Sequence, residues 1–416
     1  MKKIMFWGCG VLLCGGLLGG ETGAAPPAPP AEAPAEKPPE KAPGAQGVNV
    51  VNTKHLSIDI YGSLRADGAY NSHRVFPGNF VYWATAQRNN ISDDEFTLTA
   101  NQTRLGLNLK GPAAPGMKTS GVLEMDFYGG GGETAPNPRL RRAFGAVCWT
   151  DLDLAVSGGQ EWELMSQLNA PTLDICLLGC AGNLGLRRPQ LRITKGFYYA
   201  PEVRYEIGLA LTRNIGEANT AVPGLTLDTG RDAGFPTAQG RAALQFPGWV
   251  RDGPPILVGF SGHYGQEEWD RDADNHHAKV RTWSVNCEVQ LPLFKGLTLT
   301  GEAFIGSNLD TYMAGIAQGV NPTSWEDIQS QGGWAALKYR PFKPLEISAG
   351  AGVDDPKNGD LNTGMRSRNA AAFLNVLYQI NDYVQVGVEG SRWQTDYLHT
   401  DKTPLTRGNF AFIFSF

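Results

Sequence analysis

From about Val51 onward, apolar and polar residues alternate at every second position, the period of β-strands whose two faces meet different surroundings. Val203, Tyr205, Ile207, Leu209 and Leu211 interleave with Arg204, Glu206, Gly208, Ala210 and Thr212. Trp283, Val285, Cys287, Val289 and Leu291 stand in the same way against Thr282, Ser284, Asn286, Glu288 and Gln290, and Val384, Val386 and Val388 against Gln385, Gly387 and Glu389. Sixteen such segments are predicted, near 56–70, 95–110, 117–128, 139–150, 153–162, 187–198, 202–213, 237–248, 254–264, 279–291, 296–307, 331–341, 343–354, 369–380, 382–394 and 408–416. Their connections alternate as well. Those at 111–116, 150–152, 199–201, 247–253, 292–295, 341–342 and 381 are short, whereas 71–94, 163–186, 214–236, 308–330 and 355–368 are mostly long and polar.

Short turns at one end and long loops at the other are the arrangement of an up-and-down barrel in an outer membrane. Hydrocarbon offers no partner to backbone N–H and C=O groups, so strands cross it only as a closed sheet. Each crossing takes about 9 to 11 tilted residues, which leaves no helix-like hydropathy to find. The expected fold is therefore all-β: a 16-stranded antiparallel transmembrane β-barrel over 51–416, with short periplasmic turns and long external loops. At the C-terminus Phe410, Phe412, Phe414 and Phe416 fall at every second position and the chain stops on an aromatic residue. That pattern is similar to the assembly signal by which the barrel-assembly machinery takes up outer-membrane barrels.

The N-terminal end reads as targeting and tether. Lys2 and Lys3, the apolar run Ile4 to Leu18 and the small residues Gly23-Ala24-Ala25 have the anatomy of a cleaved secretory signal peptide over 1–24. Cys14 follows Leu13, where a lipoprotein signal expects a small residue. Residues 25–50 are nearly all Pro, Ala, Glu and Lys as far as about Gly47, a composition that builds no core and suits an extended periplasmic spacer. The expected location is the outer membrane of a Gram-negative-type bacterium.

Composition narrows the chemistry. The 416 residues carry 36 basic against 41 acidic side chains, a net charge of −5, which is not the footprint of a nucleic-acid-binding protein. A mean hydropathy of −0.26 excludes a bundle of transmembrane helices. Fifty-two glycines beside 18 Phe, 13 Tyr and 10 Trp suit a curved closed sheet with aromatic girdles.

A barrel of sixteen strands is too wide for side chains to fill and encloses water. The loop 163–186 contains Asp174, Cys176 and Cys180 with Leu173, Ile175, Leu177, Leu178 and Leu184, whose apolar bulk calls for burial inside the barrel as a pore-constricting loop; the alternative is a loop lying on the outer rim. In an oxidising compartment Cys176 and Cys180 are spaced to close a small disulfide loop, while Cys148 and Cys287 stand far apart. With no His cluster or paired CxxC, no metal site is expected, and His276-His277 read as loop residues. No cofactor is expected.

Several arginines fall on polar strand faces and are expected to line the pore: Arg104, Arg139, Arg141, Arg192 and Arg204. Strict alternation puts Arg139 and Arg141 on one face with Ala143 and Gly145, leaving Phe144, Ala146 and an awkward Arg142 toward lipid. An arginine in mid-bilayer costs up to about 2 to 4 kcal/mol, so Arg142 should lie near a strand end. Inward arginines either raise the local anion concentration in a narrow pore or pair with Glu124, Asp126 and Glu206 in a solvated ladder.

The stretches Ile60-Tyr61-Gly62-Ser63-Leu64-Arg65, Asn101-Gln102-Thr103-Arg104-Leu105-Gly106-Leu107, Gly121 to Phe127, Arg139 to Gly145, Ser157 to Trp162 and Arg188-Pro189-Gln190-Leu191-Arg192 together resemble the first strands of trimeric porins, especially the DcaP-like porins. That resemblance covers roughly 56–195; beyond it only the pattern and Phe416 match. It implies a homotrimer of 16-stranded barrels and passive diffusion favouring small anionic solutes such as dicarboxylates, with Arg104, Arg139, Arg141 and Arg192 at positions matching pore arginines. The Pro/Ala-rich spacer stands where that family carries a coiled-coil segment, and the loop cysteines depart from its pattern. An enzyme is not expected, because five of the six histidines fall in loops or at strand ends and no G-x-S-x-G elbow occurs. A structural or adhesive barrel acting through its external loops is the alternative.

Overall fold

The structure is a computed structural model that describes residues 47–416 apart from 88–92, 113, 133, 166, 216–229, 231–232, 252 and 271–276. The expected signal peptide, the spacer up to residue 46, Cys14, His276 and most of the 214–236 loop lie outside the described residues.

Among the described residues sixteen antiparallel strands close into one barrel. In chain order they are β1 (Ser57–Asn71), β2 (Glu95–Thr99 with Arg104–Lys110), β3 (Met117–Asp126), β4 (Arg139–Trp149), β5 (Leu154–Trp162), β6 (Arg187–Ala200), β7 (Val203–Thr212) and β8 (Thr237–Phe246). The second half comprises β9 (Ile256–Asp270), β10 (His277–Phe294), β11 (Leu297–Ser307), β12 (Gln329–Phe342), β13 (Leu345–Pro356), β14 (Arg366–Gln379), β15 (Val384–Tyr397) and β16 (Lys402–Ser415). Each strand pairs with its neighbours in sequence, and β16 returns to β1 with Ser415 opposite Ser63 and Arg407 opposite Asn71. Closure leaves the sheet no open edge to hydrogen-bond elsewhere. A short N-terminal strand, Val48–Asn52, also pairs with β1, at Ser57 to Ile60.

The barrel is apolar on the outside and polar within. On β7, Tyr205, Ile207, Leu209 and Leu211 are exposed outward, while Arg204, Ala210 and Thr212 are buried toward the interior. On β16, Phe410, Phe412 and Phe414 point out, and Ala411, Ile413 and Ser415 point in. Such a distribution suits a sheet surrounded by hydrocarbon with water inside.

Two irregularities shape the first strands. In β2 the ladder to β1 breaks at Ala100 to Thr103, and Thr103 Oγ1 accepts the Arg65 N–H at 3.1 Å. In β4 the register jumps between Leu140, opposite Met125, and Arg142, opposite Glu124, which leaves Arg141 as the extra residue of a β-bulge. A bulge reverses the pleat beyond it. Arg139 and Arg141 face the interior before it and Arg142 and Phe144 after it, with Ala146 buried and Gly145 exposed. Strict alternation therefore misassigned this strand: Phe144 and Ala146 turn inward rather than to lipid, and Arg142 is an interior residue of the wall instead of an end residue on the outer face.

Candidate functional site

Three loops fold into the long-loop end of the barrel, each held by an arginine of the wall. Segment 163–186 packs Leu168, Ala170, Leu178 and Ala181 with Trp334, Ala336, Ala371, Phe373 and Trp393 of the far wall. Wall polar groups receive its backbone: Leu168 N donates to Glu302, Leu173 N to Glu389, and Asn375 Nδ2 to the Pro171 carbonyl at 2.6 Å. Gly182 is in the left-handed region at φ 113°, and a Cβ there would stand 2.1 Å from the Gly333 carbonyl oxygen. Only glycine lets this loop lie so close to the wall.

The hairpin around Val75–Pro77 and Val81–Ala84 lies beside that loop, its Val81 carbonyl accepting the Cys176 thiol at 2.9 Å. The segment 308–328 completes the layer, with Cys180 N donating to the Met313 carbonyl and Gly185 N to that of Tyr312. Arg188 is fully buried among these pieces, 2.7 Å from Glu163, donating to the Thr311 carbonyl and covering the Tyr312 ring. Arg366 donates to the Ile316 and Ala317 carbonyls and lies over Trp83. Arg407 donates to Asn71 and Asn79 and pairs with Asp174 at 3.2 Å.

Opposite the inserted loop, across a water-accessible cavity of about 1780 Å³, runs the wall of β1 to β6. Seven arginines of that wall line the cavity: Arg65, Arg104, Arg139, Arg141, Arg142, Arg187 and Arg192. They are answered by four carboxylates. Arg65 pairs with Asp67 and reaches over to the Leu173 carbonyl of the loop. Glu124 takes Arg141 at 2.7 Å and Arg104 at 3.7 Å, as well as the Tyr61 hydroxyl. Asp126 takes a two-pronged contact from Arg139 and a third bond from Arg141. Glu161 accepts the fork of Arg142. Arg192 donates to Gln190 and to the Trp162 carbonyl. Arg187 is stacked 4.6 Å over the Trp162 ring and meets no carboxylate among the described residues. The wall therefore keeps a positive excess after pairing.

Of the arginines expected in the pore, Arg104, Arg139, Arg141 and Arg192 come together here. Arg204 also faces the cavity but sits at the short-turn mouth, in a chain of ion pairs running Asp153, Arg204, Glu206, Arg241, Glu288. The side chains of the loop divide similarly: Thr172, Leu173, Ile175, Cys176, Leu177 and Asn183 border the cavity, whereas Asp174 is turned to Arg407 and Cys180 is fully buried. Cys176 and Cys180 are both free thiols, and burial pushes each up from the ordinary thiol range. Arg65, Arg142 and Arg187 escaped the sequence reading. The signal for two of them was present, because Arg141-Arg142 and Arg187-Arg188 are adjacent pairs that one alternating strand cannot keep on one face.

His263 is buried in β9 between Ser284 and Thr282 and stacks on Tyr312, a support of the loop layer. Among the described residues no group of three or more His, Cys, Asp or Glu is arranged to hold a metal ion.

No protein-family model and no curated protein matches this chain. Solved structures do. The outer membrane channel DcaP of Acinetobacter baumannii superposes with a TM-score of 0.68 at 18% identity, covering 88% of this chain and 99% of that one. An anion-selective porin from Comamonas acidovorans gives 0.56 at 11% identity, covering 87% and 100%. OmpT of Vibrio cholerae in its trimer form gives 0.52 at 10% identity, over 87% and 100%. The chain thus has the fold of the outer-membrane porins and resembles DcaP among them.

Proposed function

We propose that this porin-fold chain is a passive diffusion channel for small hydrophilic solutes in the outer membrane, with a preference for anions such as dicarboxylates. The observation that carries the reading is the wall of seven arginines against four carboxylates, facing an inserted loop across the cavity. A solute squeezed past that wall loses part of its hydration and meets charge in a medium less screening than bulk water. One excess unit charge about 7 Å away lowers an anion's energy by roughly 0.6 kcal/mol at the dielectric of water and 2.4 kcal/mol at an effective dielectric near 20. That is roughly a three-fold to fifty-fold enrichment, repeated for each excess charge before salt screening. Arginine's planar fork matches carboxylate oxygens, and the presence of several forks on one wall favours solutes with two such groups. The inserted loop makes these effects count, because it confines passage to the arginine side.

Within this reading the chain reaches the outer membrane by a cleaved signal peptide, engages the barrel-assembly machinery through the strand ending Phe410, Phe412, Phe414 and Phe416, and works as a homotrimer, with the residues from 25 to about Gly47 as a periplasmic spacer that ends where the strand Val48–Asn52 joins β1. The deciding measurement is the reversal potential of single channels in planar bilayers under a salt gradient. Anion selectivity that falls when Arg139 and Arg141 are replaced by glutamine is the expected result. A cation-selective native pore overturns the preference, and membranes that stay sealed after insertion favour instead a structural or adhesive barrel.

A further inference from the structure

The hairpin beside the inserted loop carries two kinds of side chain. Val81 and Trp83 are buried, while Phe80 and Tyr82, on the alternate face, border the cavity. The backbone is fastened on both sides of Phe80: the Asn79 carbonyl accepts from Arg407 at 3.3 Å, the Val81 carbonyl from the Cys176 thiol at 2.9 Å and the Tyr82 carbonyl from Asn369 at 2.7 Å. Gly78 opens the turn at φ 131°, and no atom lies within 4 Å of where its Cβ would stand, so the tip is unpacked on that side. The Phe80 side chain is held by ring contacts. It meets Tyr82 at 5.0 Å and Tyr128 at 5.3 Å between ring centres, both at 89°.

Tyr128 belongs to the charged wall, two residues beyond the end of β3. Its N–H donates to Asp126 Oδ1 at 3.2 Å, the atom that also takes Arg139 Nε at 2.9 Å, and the Arg139 guanidinium lies 5.4 Å over its ring. One arginine thus fixes the carboxylate and the ring together. Tyr128 is the fixed partner of the pair and Phe80 the mobile one, since a side chain free of polar anchors changes rotamer within nanoseconds. Their contact joins the loop layer to the arginine wall at the border of the space left to a solute. An edge-to-face pair is favourable but small, so it closes without locking.

We propose that Phe80, closing against Tyr128, determines the girth of the anions admitted: the arginines sort solutes by charge and the ring pair sorts them by cross-section. The inference rests on the channel reading above and deepens it. Slender straight-chain dicarboxylates pass the closed pair, whereas caged or branched ones pass when Phe80 swings away. The test uses the full chain in planar bilayers. A KCl gradient reads charge selectivity, and bi-ionic reversal potentials read the permeability of succinate relative to adamantane-1,3-dicarboxylate. Phe80→Ala and Tyr128→Ala should each narrow that ratio by roughly five-fold, the factor that breaking one edge-to-face contact imposes on a broad solute. The KCl reversal potential should stay where it is. The double variant should do no more than either single one, because both remove the same contact, and Tyr128→Phe, which keeps the ring, should behave as the native channel does. An unchanged ratio in a conducting Phe80→Ala channel overturns the inference, even if Tyr128→Ala fails to fold. So does a ratio that changes together with the KCl reversal potential, because the rings would then act by loosening the charged wall. A native protein that leaves membranes sealed refutes the channel reading and this inference with it, whereas a conducting native channel with an indifferent Phe80→Ala variant refutes this inference alone.

Discussion

Arg142 turns its fork onto Glu161 of β5, with Nε 2.8 Å from Oε1, while Arg141, one residue earlier, donates in the opposite direction to Glu124 and Asp126 of β3. Consecutive residues of one strand thus reach two different neighbours from the same side of the sheet, which only the bulge between Leu140 and Arg142 allows. Both arginines and all three carboxylates are largely buried, so each depends on its partners for solvation.

Removing one member of such a pair is expected to cost more than removing both. Arg142→Gln leaves Glu161 as a buried charge without its partner, at about 3 to 5 kcal/mol. Arg142→Gln with Glu161→Gln should recover most of that loss. The temperature at which the barrel loses its folded electrophoretic mobility measures all three variants in one cycle, and a strictly additive result would refute the coupling.

Arg187 and Arg188 are neighbours with opposite tasks, and glutamine at each position should separate them. Arg187→Gln removes a cavity-facing cation that meets no carboxylate among the described residues. It should shift the reversal potential toward cations with folding and channel size unchanged. Selectivity equal to that of the native channel would show that Arg187 contributes nothing to it.

Arg188→Gln instead takes the clamp from Glu163, Thr311 and Tyr312. The loops around 163–186 and 308–328 should loosen, giving larger and noisier single-channel currents and faster proteolysis within 308–328. Quiet currents of native size would place the loop layer under other control.

The Cys176 thiol donates to the Val81 carbonyl, and Cys180 is packed with Trp83 and Ile316. Held in separate clusters, with burial keeping both protonated, they should resist a charged maleimide in the folded protein and react once it is denatured. Mass analysis without reduction should show no bond joining Cys176 to Cys180. A mass lower by two hydrogens on the peptide carrying both would refute this.

Asp310 gives the loop layer a pH dependence. Burial pushes its carboxyl up to about 6, only partly offset by the Thr311 N–H and the charge of Arg188. A carboxyl harder to ionise in the folded loop than in the opened one stabilises the folded form fully below about pH 4, and that contribution disappears as pH climbs through about 6. Proteolysis within 308–328 should therefore be slower at pH 5 than at pH 7.5, and Asp310→Asn should flatten the difference.

Period-2 alternation made the strands legible because interior and exterior impose opposite demands on successive residues. The predicted segment 187–198 lies within Arg187–Ala200, and 202–213 encloses Val203–Thr212. The final strand begins six residues before its prediction, at Lys402, because its upper outward positions are Lys402, Pro404, Thr406 and Gly408, which carry no apolar signal. The bulge at Arg141 was invisible to a strict alternation, although two adjacent arginines in a lipid-crossing strand are already its energetic signature. The inward folding of 308–328 was not legible at all. Leu309, Tyr312 and Ile316 are buried against other loops and a distant wall, and left-handed backbone at Asn308, Met313, Ile316 and Ala317 sets their directions without any periodic pattern.

The N-terminal strand Val48–Asn52 meets β1 at Ser57 to Ile60, just beyond Gly62, which exchanges two backbone hydrogen bonds with Phe416. It runs in the same direction as β16, as though the chain continued past its last residue. One line of the barrel wall is therefore a splice of the two extremities of the polypeptide. The seam cannot finish zipping until residues separated by almost the whole length of the chain arrive side by side. The side-by-side placing of Val48 and Phe416 makes this junction the natural place to cut and rejoin the chain in a circular permutant.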